Sequence, residues 1–324
     1  MLGALSTTDD VLNTDGFKAR ITGKSVIITG GNSGLGLETA KCLAGCGAEV
    51  LLMCRSEENG KATVETIKKV HADARVEYAL LDLSSLQSVR DAANAYISTG
   101  KPLHILINNA GVMACPKTYT KDGHEWQFGV NHLSHFLFTG MLLPILEKSG
   151  TTAEPSRVIT LSSFGHCIYT PDTGIIFDDL KGEKEYTPWV RYGHSKFANL
   201  LFAKELQNRC TAKNLPILSV SVHPGVITET KLMRHHSLSA ALWTNLKELW
   251  YKPAKFITLL TAPQKTTAQG AATQLFCTGD PALEPGAYYE DCHPSDKVHP
   301  KANDAEMARR LWDESEKLVD ASFL

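Results

Sequence analysis

Between Lys24 and His223 short β-branched and aliphatic runs alternate with amphipathic stretches, the sequence trace of βαβ units and a parallel sheet. The runs Ser25–Thr29, Glu49–Cys54, Val76–Leu81, His104–Asn108, Arg157–Leu161 and Ile217–Val222 read as strands, and a late one near Ala287–Tyr289 brings the sheet to seven. Because they are apolar along their length instead of alternating, they suit a sheet buried on both faces. Helical periodicity marks Gly36–Gly45, Glu57–His71, Leu86–Ser98, Asp122–Glu147, Tyr192–Asn208, Gln264–Cys277 and Asn303–Val319. The prediction is an α/β chain with a doubly wound parallel sheet of seven strands and helices on both faces.

No internal repeat or Pro/Gly linker divides the chain. Residues 1–21 read as a polar N-terminal extension carrying Asp9, Asp10 and Asp15, with neither the apolar core of a signal peptide nor a membrane span. Residues 22–324 read as one catalytic domain. The rhythm breaks at 227–263, where Leu238, Leu242, Trp243, Leu246, Leu249, Trp250, Phe256, Leu259 and Leu260 follow the sixth strand. An insertion there lies at the carboxyl ends of the strands and is expected to close over a substrate. A helix pair packed on the body or on another subunit, or a peripheral membrane contact by an amphipathic face, are the alternatives.

Composition then narrows the partners. A formal charge of -2 and 21% charged residues over 324 positions give no basic stripe for nucleic acid, so a small molecule is expected. The eight cysteines form no CxxC pair and no zinc spacing, which fits a reducing compartment; cytoplasmic location is the expectation.

Gly30, Gly34 and Gly36 follow the first strand and open the first helix of the repeat. In that context glycines let backbone approach a pyrophosphate held on the helix N-terminus, so Gly30, Asn32, Ser33, Gly34, Leu35 and Gly36 are candidate dinucleotide contacts in a Rossmann-type domain. The second strand ends at Cys54-Arg55, with no acidic residue to accept ribose hydroxyls. Arg55 can instead pair with a 2′-phosphate, which predicts NADP(H) over NAD(H). Asp82 and Leu83 after the third strand, and Asn109, Ala110 and Gly111 after the fourth, border the same crevice; Asp82 can accept the adenine amino group. Pro224, Gly225, Val226 and Thr228 after the sixth strand are candidate nicotinamide contacts.

Tyr192 and Lys196, at i and i+4, share a helix face. A free phenol has a pKa of about 10, and an ammonium beside it is expected to lower that value and make Tyr192 a usable acid or base. Ser163, at the end of the fifth strand, can hydrogen-bond a reacting oxygen; Ser162 is its rival. Asn131 is an amide in a long predicted helix, a position that needs a partner if it points inward. His132 and His135 have no third ligand nearby and read as structural, with no metal expected.

Over roughly residues 22–230 the chain resembles the short-chain dehydrogenase/reductase family. The carrying motifs stand in family order: Thr29 to Gly36, Asp82, Asn108 to Gly111, Asn131, Ser162-Ser163, Tyr192 to Lys196 and Pro224-Gly225. Within the family it is similar to the branch of retinol dehydrogenases and the catalytic domain of the WW-domain-containing oxidoreductase, through Thr7-Thr8-Asp9-Asp10-Val11-Leu12 before the first strand, Cys54-Arg55, Thr120-Lys121-Asp122-Gly123, Val130 to Phe136, His194-Ser195-Lys196, His223-Pro224-Gly225 and Arg310-Leu311-Trp312. Neither WW modules nor an apolar N-terminal anchor is expected ahead of the first strand.

The resemblance implies a catalytic set of Asn131, Ser163, Tyr192 and Lys196. Asn131 would hold a water in a proton relay to Lys196, Lys196 would also bind the nicotinamide ribose, and Ser163 is preferred over Ser162. The spacing from Ser163 to Tyr192 exceeds that of many members, so Ile168–Trp189 is expected to be an inserted loop near the substrate. The implied activity is hydride transfer between NADP(H) and a carbonyl or alcohol of a lipophilic molecule, such as a retinoid, steroid or other aldehyde or ketone. The alternative is an NADP(H)-binding regulator or scaffold with little turnover. A homodimer or homotetramer through helices flanking the sheet is a further expectation from the family.

Overall fold

A computed structural model describes residues 2–227 and 263–324. The first half runs α1 (Thr8–Leu12), α2 (Phe17–Ile21), β1 (Ser25–Thr29), α3 (Gly34–Gly45), β2 (Glu49–Cys54), α4 (Glu57–Val70), β3 (Arg75–Leu80), α5 (Leu86–Ser98) and β4 (Ile105–Asn108). Helix α6 (Trp126–Phe128) passes through a π turn (Gly129–Leu133) into α7 (Ser134–Ser149). Then come β5 (Ser156–Leu161), α8 (Gly165–Tyr169), a 3-10 turn (Phe177–Asp179), α9 (Pro188–Ala212), β6 (Ile217–His223) and β7 (Val226–Ile227). After residue 262 follow β8 (Gln264–Lys265), α10 (Thr267–Gly279), β9 (Tyr288–Glu290), β10 (His293–Pro294) and α11 (Ala305–Val319).

The main sheet has the order β10-β9-β6-β5-β4-β1-β2-β3. All neighbours are parallel except β9 and β10. The chain direction across the sheet reverses between β1 and β4, and such a switch point leaves a crevice at the carboxyl ends of the strands. The seven expected strands are present, and among the described residues β10 adds an eighth to the main sheet. Asp291 and Cys292, both at positive φ (55° and 63°), make the tight reversal that folds His293–Pro294 back on β9. A two-residue edge strand containing proline has no periodicity to detect.

Two apolar layers sandwich the sheet, as the uninterrupted strands require. One joins α5, α7, α9 and α11, and the other joins α1, α2, α3, α4 and α10. Trp312 of α11 meets Phe136 of α7 edge-on at 4.9 Å and stacks with Phe202 of α9 at 6.0 Å, which seats α11 against both helices.

The N-terminal residues do more than extend the chain. Val11, Phe17 and Ile21 are buried in the second layer, while Thr7 and Asp10 spend their polarity on a capping box for α1. Helices of five residues are too short for a periodic signal, so only the polar residues stood out in the sequence.

The expected helix over Asp122–Glu147 is also corrected. Gly123 has φ +78°, and the chain from Thr120 to His124 is a closed turn. The helix starts only where the Glu125 carboxylate accepts the amides of Gln127 and Phe128 (2.9 and 2.7 Å). Likewise Gln264–Lys265 is a strand, and α10 begins after Thr266, which caps it with Gln269. Most of the 227–263 insertion, with its proposed lid, interface or membrane contact, lies outside the described residues.

Candidate active site

β1 carries Thr29 to the crevice, and Gly30 turns there at φ +65° with its amide donating to the Met53 carbonyl (2.8 Å). Helix α3 starts at Gly34, and its N-cap Ser33 makes no side-chain cap bond. The first-turn amides of Gly34, Leu35 and Gly36 are therefore not satisfied by a cap, the condition for an anion seat at a helix end. Gly36 has no room for a side chain: a Cβ there would lie 2.6 Å from the Gly30 carbonyl oxygen and from Asn109 Nδ2. Asn109 Nδ2 donates to the Thr29 carbonyl (2.8 Å), and the amides of Asn109 and Ala110 both donate to Thr29 Oγ1 (3.0 Å each). The glycine loop and the Asn109–Gly111 turn are thus tied together, with the Asn109 side chain spent on the tie.

The other expected cofactor positions fall along the same rim. Arg55 is exposed at the end of β2 and has no ion-pair partner among the described residues. Asp82 accepts from Ser84 N and Oγ (3.0 and 2.7 Å) and from Lys121 Nζ (2.9 Å). Burial acts to raise its pKa, but these bonds outweigh it and hold the carboxyl below the ordinary aspartate value. Leu83 turns its side chain into the core, and its carbonyl takes the Ser134 hydroxyl (2.6 Å). Pro224, Gly225 and Val226 are half-buried at the end of β6, where Gly225 at φ +89° lies against the Lys265 side chain. Thr228 lies outside the described residues.

Helix α9 starts four residues earlier than its periodicity suggests, at Pro188, and carries Tyr192 and Lys196 into the crevice. Both are buried. The Ser163 hydroxyl accepts the Gly165 amide (3.1 Å) and stands beside the Tyr192 ring: a Cβ on Gly165 would lie 3.3 Å from Ser163 Oγ and 3.0 Å from the ring. Lys196 Nζ donates to the Leu161 carbonyl (3.0 Å) and sits 6.0 Å from the Tyr192 ring centre. Burial lowers its pKa to about 8.

The expected effect of the lysine on the tyrosine is corrected here. Burial raises the Tyr192 pKa above its ordinary value, and only the Ser163 hydroxyl acts downward. Lys196 spends its ammonium on the Leu161 carbonyl, and desolvation of the phenolate is the larger effect.

Asn131 lies in the π turn between α6 and α7 and is fully buried. Its Oδ1 accepts Val112 N (2.8 Å), and its Nδ2 donates to the Val112 carbonyl and Ser195 Oγ (2.9 Å each). A Cβ placed on Gly111 would lie 3.2 Å from Asn131 Oδ1 and 3.4 Å from Lys196 Nζ. The structure therefore brings Asn131, Lys196 and Gly111 together, and Ser163 to Tyr192, at one end of β4, β5 and β6. π turns inside helices recur at functional sites.

Three residues that hold this arrangement carry no catalytic signature in the sequence. Thr29 and His135 (2.8 Å apart) join the glycine loop to the π turn, and His223 Nδ1 accepts the amide of Phe164, next to Ser163 (3.2 Å). In the sequence all three stand inside motifs that carry the family resemblance, but only the i, i+4 spacing of Asn131 and His135 hints at a contact.

A switch-point crevice with a glycine loop on one side and a Ser/Tyr/Lys/Asn group on the other defines a dinucleotide-dependent oxidoreductase. A family model described as short chain dehydrogenase matches residues 24–169. Retinol dehydrogenase 11 of Homo sapiens is 41% identical over 91% of this chain and 86% of that protein. The short-chain dehydrogenase TIC 32 B, chloroplastic, of Brassica napus is 38% identical over 98% of this chain and 94% of that protein. A crystal structure of an uncharacterised protein from Mycobacterium paratuberculosis superposes with a TM-score of 0.70 at 33% identity, covering 95% and 98% of the two chains. The chain belongs to the short-chain dehydrogenase/reductase family, in its retinol dehydrogenase branch, and is an oxidoreductase acting on a small molecule with a nicotinamide cofactor.

Proposed function

We propose that this protein moves a hydride reversibly between NADP(H) and the carbonyl or alcohol carbon of a lipophilic substrate, with Tyr192 moving the proton. The carrying observation is the placement of Ser163 beside the buried Tyr192 phenol, both bordering Gly165, with Lys196 one turn further along the same helix. Burial keeps the phenol protonated at neutral pH, the form needed to donate to an oxygen becoming an alcohol. Ser163 holds that oxygen within reach of Tyr192, and Lys196 with Asn131 forms the polar floor behind it.

The residues present fit a dinucleotide. The uncapped first turn of α3 offers Asn32, Ser33, Gly34, Leu35 and Gly36 to the pyrophosphate. Gly30, Asn109, Ala110, Gly111, Asp82 and Leu83 would border the adenosine side, and Pro224, Gly225 and Val226 the nicotinamide side. Arg55, exposed and without an ion-pair partner among the described residues, supports NADP(H) over NAD(H). The bound cofactor supplies the hydride and receives it back in the reverse reaction.

An apolar cluster of Ala114, Ile168, Tyr169, Trp189 and Tyr192, with Met113 and Phe164 packed on it, supports a lipophilic substrate. The name of the human relative, a retinol dehydrogenase, points to a retinoid within that class. Eight buried cysteines, present as thiols, fit a reducing compartment such as the cytoplasm. Among the described residues no helix is long and apolar enough to cross a membrane.

The test is oxidation of NADPH with a panel of retinoid, steroid and simple aldehydes and ketones. Tyr192→Phe is expected to lose about 10²- to 10⁴-fold in kcat, the usual share of general acid catalysis, while still binding NADPH. Turnover that survives the substitution would remove Tyr192 from the mechanism.

A further inference from the structure

His135 occupies an unusual place. It is fully buried between the end of β1 and the first turn of α7, and both ring nitrogens are engaged: Nδ1 lies 3.0 Å from the Asn131 carbonyl and Nε2 lies 2.8 Å from Thr29 Oγ1. A carbonyl only accepts, so Nδ1 carries the proton. Thr29 Oγ1 already accepts the amides of Asn109 and Ala110, which leaves its own proton to donate; Nε2 at 2.8 Å is the nearer acceptor and the Ile107 carbonyl at 3.5 Å the farther one. Each bond fixes the direction of the next. The tautomer follows from the partners alone, and burial, which lowers the pKa of the ring to about 4, keeps it uncharged.

The chain of bonds runs from the Asn131 carbonyl through the imidazole to the Thr29 hydroxyl, and from there to the two amides of the Asn109–Ala110 turn. That turn also packs on the glycine loop, since Gly30 lies against Ala110. At the other end, Asn131 holds Val112 and Ser195 with its side chain, and Ser195 adjoins Lys196 in α9. One ring therefore stands between the loops assigned to the cofactor and the π turn assigned to proton transfer.

We propose that His135 is a positioning residue that anchors both turns: its Nε2 bond holds the Thr29–Asn109–Ala110 turn on the cofactor side, and its Nδ1 bond holds the Asn131 turn on the proton-transfer side. This deepens the proposed function and rests on it. An apolar residue of the same size would fill the space but leave the Thr29 hydroxyl and the Asn131 carbonyl without this link.

Two substitutions separate the two bonds. In His135→Asn the amide nitrogen stands near the place of Nδ1 and keeps the Asn131 contact while losing Thr29; in His135→Gln the amide oxygen reaches toward the place of Nε2 and keeps Thr29 while losing Asn131. His135→Asn is expected to weaken NADPH binding, read by nicotinamide fluorescence, about tenfold, the net worth of one buried hydrogen bond, with kcat nearly unchanged. Thr29→Val removes the same bond together with the acceptor of the Asn109 and Ala110 amides, so it is expected to weaken NADPH binding at least as much, and the double variant to add nothing to Thr29→Val alone. His135→Gln is expected to lower kcat about tenfold and displace its pH profile at nearly unchanged NADPH affinity.

If both His135 variants lose only thermal stability, with affinity and kcat as in wild type, the ring is a core filler and the proposal is wrong. Nitrogen-15 NMR of the full wild-type chain gives a readout that needs neither cofactor nor substrate: a ring protonated on Nδ1 alone is expected for His135, and an Nε2-protonated ring or an imidazolium overturns the assignment. A wild-type protein that bears the expected tautomer yet binds no NADPH would instead sink the proposed function and leave the bond chain standing.

Discussion

Ser162 donates its hydroxyl to the Lys196 carbonyl (2.7 Å) inside the body of the protein, while Ser163 turns its own toward Tyr192. Successive side chains leaving a strand point to opposite sides, so one serine holds helix α9 by its backbone and the other faces the crevice. The sequence could only rank them by resemblance; the direction of β5 separates them. Arg55 is the opposite case, since its exposed position says nothing that Cys54-Arg55 had not already suggested. Arg55→Ala is expected to reduce the NADP-to-NAD affinity ratio about tenfold or more, the value of a charge-assisted bond to phosphate. Equilibrium binding of the two cofactors measures it, and an unchanged ratio would rule out a 2′-phosphate contact.

Among the elements, the loop between α8 and α9 shows how a stretch without periodicity becomes ordered. The Asp179 carboxylate accepts the amides of Glu183, Lys184 and Glu185 (2.7, 3.2 and 3.3 Å) and pairs with the buried Arg191 guanidinium. Arg191 also donates to the carbonyls of Asp179 and Glu185. Those bonds set the first turn of α9, one residue before Tyr192. Breaking a buried pair from one side leaves an uncompensated charge, so Asp179→Asn is expected to cost about 3 kcal/mol, measurable as a lower urea midpoint. A loss under about 1 kcal/mol would mean that the carbonyls alone hold Arg191. In the sequence Asp179 and Arg191 were ordinary charged residues 12 positions apart; no local rule pairs them. The π turn was equally hidden, because a single widened turn leaves the apolar spacing of Leu133, Phe136, Leu137 and Phe138 looking helical throughout.

For the molecule as a whole, the number of buried histidines has a consequence in acid. Burial lowers the pKa of His132, His194 and His223 to about 3 and of His135 to about 4, from an ordinary 6.5. Between those values and 6.5 the unfolded chain binds more protons than the folded one, so stability rises with pH across that window and falls as pH drops below 6.5. At roughly 1.4 kcal/mol per proton per pH unit, four rings together give a slope of about 5 kcal/mol per pH unit. The denaturation midpoint is therefore expected to drop steeply between pH 6.5 and 5, and a flat midpoint over that range would show that these rings are charged or solvated in the native state.

By itself the sequence determined the strand–helix alternation, the parallel sheet, the glycine loop after β1 and the Tyr192–Lys196 spacing. Each is a local pattern: apolar runs that only a doubly covered sheet can bury, a flexible turn before a helix, and two side chains one helical turn apart. The tertiary structure decided which groups meet and how their protons are held. Ser163 meets Tyr192, Asn131 and Lys196 converge at Gly111, and His135 reaches Thr29 across 106 positions. It also reversed the expected direction of the Tyr192 pKa, because desolvation depends on everything packed around a group, whereas sequence spacing reports only the neighbour one turn away.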